Sequence, residues 1–133
     1  MDGWSGWDFQ RFYLLFVGVA FALLGLQVLL FHWRAAFTKW TMYGPVLLAP
    51  VLAAAGVVGA VARDGWLGWT VLILFAFGVL DGLVGIYEHG RGIAGRIGGF
   101  SLRNLVAGPP VLLPVMFTAL AFSGGLAVVW GAL

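Results

Sequence analysis

Leu74-Phe75-Ala76-Phe77-Gly78-Val79-Leu80-Asp81-Gly82-Leu83-Val84-Gly85-Ile86-Tyr87-Glu88-His89-Gly90-Arg91 is an apolar run with an acid inside it and ionisable residues clustered at its end. Followed back to Trp66, the run exceeds the roughly 20 residues that a helix needs to cross a hydrocarbon layer of about 30 Å. A charge in that layer costs several kcal/mol unless it meets a partner or water. Gly78, Asp81, Gly85 and Glu88 are spaced by three or four residues and so share one side of a helix. That side is predicted to face the interior of a bundle or a neighbouring protein, because it cannot face acyl chains.

The rest of the chain agrees with a membrane reading. Of 133 residues, 62% are hydrophobic and 9% charged, too few charges to coat a water-soluble globule. Three more apolar runs are long enough to span, so helices are expected at about 12–31, 45–62, 66–88 and 109–130. The expected fold is all-α, a transmembrane four-helix bundle forming a single integral membrane domain over 1–133. Small residues at Gly18, Ala22 and Gly25, at Ala49, Ala53, Gly56 and Ala60, and at Ala119, Ser123 and Ala127 read as stripes for close helix packing. Pro45 suits the first turn of its helix, and Pro50 is expected to bend the helix or mark its true start. Arg63-Asp64-Gly65 reads as a tight polar turn. The segment 89–107 reads as a glycine- and arginine-rich loop.

The cations supply a topology. Arg34, Lys39, Arg91, Arg96 and Arg103 follow the first and third runs, whereas only Arg11 and Arg63 lie on the other side. The positive-inside tendency therefore predicts an inner-membrane protein with both termini outside. The amino terminus lacks the cationic start of a secretory signal, so the first run is expected to be retained. All seven tryptophans fall near expected membrane boundaries, as an aromatic belt would. Two strings, Gly44-Pro45-Val46-Leu47-Leu48-Ala49-Pro50-Val51 and Gly108-Pro109-Pro110-Val111-Leu112-Leu113-Pro114-Val115, are nearly alike. Each follows a histidine and a basic loop, so the chain reads as two tandem two-helix hairpins with His32 and His89 in equivalent places.

Two constellations carry chemistry. His32 and His89, one from each half at equal depth, could ligate a b-type haem, with Arg34 and Arg91 meeting its propionates. The same pair could instead contact a quinone or hold copper or zinc. The plainer reading is that both histidines cap helix ends or sit among headgroups. Asp81 and Glu88, leading to His89, could form a proton path. The plainer reading there is that Asp81 bonds to Gln27, to a hydroxyl on another helix or to a partner subunit, and that Glu88 pairs with Arg91 three residues on. The segment Gly90–Gly99 has no Lys-Ser or Lys-Thr after it and no strand before it, which argues against nucleotide binding. No arrangement for hydrolytic chemistry is present, cysteine is absent, and seven Lys and Arg split between loops make no nucleic-acid patch.

The run His89-Gly90-Arg91-Gly92-Ile93, followed by Gly98-Gly99-Phe100, Asn104 and Gly108-Pro109-Pro110, resembles a pattern of uncharacterised bacterial four-helix membrane proteins. The resemblance covers the second half of the chain and implies a membrane bundle without an assigned activity. The residues themselves point to a small non-catalytic subunit. Its partners are the lipid bilayer and other membrane subunits, or a second copy of itself, and it would anchor or stabilise a larger complex such as an electron-transfer assembly. The alternatives are a haem- or quinone-binding redox subunit using His32 and His89, and a proton-coupled carrier using Asp81.

Overall fold

A computed structural model describes residues 1–130, all of its regular structure helical. The elements are α1 (Phe9–Arg34), a 3₁₀ turn (Trp40–Met42), α2 (Tyr43–Val61), α3 (Gly65–Arg96), α4 (Leu102–Ala107) and α5 (Leu112–Trp130). Four segments are long and apolar enough to cross a bilayer: α1, α2 with its leading turn, α3 and α5. That makes the chain a membrane protein by length and composition.

The helix limits differ from the expected ones for local reasons. Asp8 caps α1 by accepting a bond from the Arg11 amide at 3.0 Å, which starts the helix at Phe9 rather than at 12. The third helix continues past the expected 88 to Arg96. Glycines weaken helices, but Ile93 is fully buried on this last stretch and anchors it. The stop comes at Gly98 and Gly99, whose φ values of 92° and 104° suit glycine and end the helix. The expected loop 89–107 is thus mostly helical, because Ser101 caps α4 through the Asn104 amide at 3.1 Å. Pro109 and Pro110 stand outside α5, since a proline disfavours the helical conformation in the residue before it; Pro114 takes up the first turn instead.

Around the bundle, α1 packs chiefly on α2 and α3 chiefly on α5, while α2 with α3 and α1 with α5 close the ring. Consequently α1 and α3 lie on one diagonal. Phe21 from α1 meets Phe117 of α5 edge-on at 5.0 Å and Phe75 of α3 at 6.3 Å, filling the middle. Between α1 and α2 the approach is backbone to backbone: a Cβ on Gly56 would lie 2.6 Å from the Gly18 Cα. Ala22 is exposed and takes no part in that seam, which uses Gly18 and Gly25. Ala119 is likewise exposed, and the buried flank of α5 is Pro114, Phe117, Ala121, Gly124 and Val128, one position every three or four residues. The outer surface carries Phe16, Leu23, Phe77 and Leu80, as a lipid-facing surface does.

The two ends of the bundle are built differently. At the end holding the α1 N-terminus, the last carbonyls of α2 all find donors: Trp4 Nε1 bonds Gly59 at 2.8 Å, and Arg11 bonds Ala60 at 2.6 Å and Val61 at 3.4 Å. Arg63, expected in a solvated turn, is only 3% exposed. It donates to the Val128 carbonyl at 3.1 Å and stacks 4.1 Å from the centre of the Trp4 ring. Unsatisfied helix-end carbonyls draw the cation inward, and the amide of Gly65 fastens Met1 over it at 2.9 Å. This end is closed.

Candidate functional site

The other end opens because the helices differ in length. With 26 and 32 residues, α1 and α3 extend about 39 and 48 Å, whereas the 19 residues of α2 and of α5 reach about 29 Å. The surplus turns of the diagonal pair stand above the starts of α2 and α5. Between them lies a cavity of about 420 Å³, walled by apolar side chains such as Val28, Phe31, Leu113 and Phe117. That volume is in the range of small-molecule sites.

Both histidines line this cavity. His32 lies in the last turn of α1, and His89 faces it from α3 with ring centres 6.5 Å apart and planes at 85°. His89 Nδ1 lies 3.1 Å from the Pro110 carbonyl. A carbonyl can only accept, so Nδ1 carries the proton and the Nε2 lone pair is left free. His32 Nδ1 is buried without a partner.

Asp81 also lines the cavity, eight residues and so about 12 Å deeper than His89 along α3. The flank bearing Gly78, Asp81, Gly85 and Glu88 does turn inward: Gly78 packs on Leu52 and Ala121, and Gly85 on Pro114. One carboxylate oxygen of Asp81 lies against Gly44, where any side chain would displace it. The other, Oδ2, is buried and unpartnered. The expected bond to Gln27 does not form, because Gln27 is exposed on the far side of α1.

The mouth is charged. Glu88 forms an ion pair with Lys39, not the expected one with Arg91. Arg91 is exposed and lies 5.6 Å from the Tyr87 ring centre, away from the cavity wall. Its expected place is taken by Arg96, which lines the mouth together with Arg34. Lys39 arrives on a loop in which Ala36 and Phe37 hold left-handed φ values of 57° and 47°. Such conformations cost about 1–3 kcal/mol each for non-glycine residues. Amide bonds to the Trp33 and His32 carbonyls, at 2.8 and 3.1 Å, and stacking of Phe37 on Tyr43 hold the loop in place. Lys39 and Arg96 were expected only as topology-setting loop cations and not at the site, because the first partners across the bundle and the second owes its position to helical turns expected to be loop.

No group of three His, Asp or Glu side chains that could hold a metal ion occurs among the described residues. The site therefore offers two imidazoles, a deep carboxylate and a cationic rim around an apolar shaft. No family model matches the chain, and comparison with curated proteins and with solved structures returned no match.

Proposed function

We propose that this chain is a small integral membrane subunit that holds an amphipathic small molecule in its one-ended cavity, in the service of a larger membrane assembly. The observation that carries this reading is the lining of one cavity, where His32, His89 and Asp81 stand among apolar side chains beneath a rim bearing Arg34, Lys39 and Arg96. The closed far end supports a binding role over a through-passage. The test is organic extraction and mass spectrometry of protein purified from its own membranes. A small molecule should co-purify, and be lost when Leu113→Trp fills the shaft without changing elution or helicity. Equal recovery from both forms would refute the reading.

We place the protein in the inner membrane with the cavity facing the cytoplasm and both termini outside, as two tandem hairpins, α1–α2 and α3–α5. The five cations at the cavity end against two at the closed end support this orientation. Since the chain has no cysteine, single cysteines at Thr38, Ser101 and Asp64 report topology cleanly. Thr38 and Ser101 should label from the cytoplasm and Asp64 from outside; labelling of the first two from opposite faces would overturn the arrangement.

A second reading, proton-coupled transport, is favoured by the unpartnered Asp81 Oδ2 alone. Solute movement in liposomes that persists in Asp81→Asn would eliminate it.

A further inference from the structure

We infer that the ligand of this cavity is a b-type haem, its iron held between His32 and His89 and its propionates met by Arg34 and Arg96. This rests on the ligand-binding reading above and assigns the class of molecule. Three features of the site converge on it.

The first is placement. The two histidines come from the diagonal helices, so they approach across the bundle rather than side by side. An imidazole nitrogen binds a metal at about 2.1 Å, and the ring centre lies about 1 Å further back. Two rings on opposite sides of one iron therefore stand a little over about 6 Å apart, close to the 6.5 Å found here. A site with two protein ligands is what a porphyrin needs, because the macrocycle supplies the other four. The absence of a three-ligand cluster among the described residues thus leaves this chemistry open.

The second is preparation of the ligands. The Pro110 carbonyl fixes the proton of His89 on Nδ1, the outer contact that metal-bound histidines commonly make. His32 lines the cavity while its Nδ1 is buried, so this ring would reach the iron through Nε2. The third is charge. Lys39 and Glu88 neutralise each other at the mouth, whereas Arg34 and Arg96 line it with no carboxylate partner among the described residues. Two unpaired guanidiniums at the rim of an apolar shaft match an apolar macrocycle with two carboxylates on one edge. Asp81, about 12 Å deeper than His89, has no part in the ligation.

The test is spectroscopic. Purified full-length protein in detergent is titrated with haemin, then reduced with dithionite. A single equivalent should give a low-spin, six-coordinate spectrum with a sharp α band on reduction. His32→Ala and His89→Ala should each lose that spectrum while keeping wild-type elution and helicity, and added imidazole should restore it. Should either variant fail to fold, electron paramagnetic resonance of the wild-type ferric protein decides alone: a bis-imidazole low-spin signal supports the site. A high-spin signal, or haemin bound no better than by the double variant, overturns it. If haemin fails while an extracted molecule is still lost in Leu113→Trp, the haem assignment falls and the cavity reading stands. If both fail, both fall.

Discussion

Gly56→Ala tests the packing on which the cavity depends, because it adds one methyl where α1 and α2 meet backbone to backbone. The new Cβ would lie 2.6 Å from the Gly18 Cα and amide nitrogen and 2.8 Å from the Leu14 carbonyl oxygen. Ordinary carbon contacts lie at about 3.5–4.0 Å, so the two axes must separate by about 1 Å. None of the obstructing atoms belongs to a flexible side chain, and no rotamer change relieves the clash. Overpacking of this kind costs about 1–3 kcal/mol, against a gain of up to about 1 kcal/mol from replacing a helical glycine. Gly95→Ala, in α3 with nothing within 4 Å of the added carbon, supplies the gain without the clash. Thermal and denaturant unfolding in detergent should show Gly95→Ala slightly stabilised and Gly56→Ala destabilised, the two separated by about 1–3 kcal/mol. If both variants move together, the close α1–α2 seam is wrong.

Arg63→Met removes the bond to the Val128 carbonyl and the stack on Trp4; a loss of about 1–3 kcal/mol and altered tryptophan emission should follow, and an unchanged melt would contradict the closed end. Glu88→Gln breaks the ion pair with Lys39 at the exposed mouth, so unfolding should shift by less than about 1 kcal/mol and the shift should shrink in high salt; a larger, salt-independent loss would show the pair to be structural. Gly44→Ala pushes the Asp81 carboxylate off its seat and should weaken whatever binds in the shaft, measured as ligand recovered per mole of folded protein. Equal recovery would show that the seat of Asp81 is irrelevant to binding.

Much of the architecture was legible because lipid imposes simple demands. Length and hydropathy marked the long helices, and the cost of a buried charge turned the Asp81 side inward before any packing was known. The histidine pairing followed from the two proline strings, and the structure does bring His32 and His89 into one cavity. What stayed hidden depended on contacts between distant segments. Arg63 looked like a turn residue until the carbonyls at the end of α5 and the Trp4 ring were in place. Arg91 and Arg96 differ by five residues in one helix, and only the continuation of α3 past its glycines decides which one reaches the mouth. Lys39 needed the left-handed step at Ala36 and Phe37, for which neither residue type is a signal. Ala22 fell outside its stripe because the close approach to α2 is made at Gly18 and Gly25, which leaves Ala22 on the outer surface.

The fastening at the closed end makes the molecule a pair of tongs. With Trp4, Arg11 and Arg63 acting as the fulcrum, thermal motion of the long diagonal helices must grow with distance from it, and the jaws are the turns that bear His32 and His89. Hydrogen exchange in α1 and α3 should be slowest in the middle turns, where every amide has its helical acceptor, and should quicken toward Arg34 and Arg96. A guest would enter by parting the jaws, without disturbing the pivot.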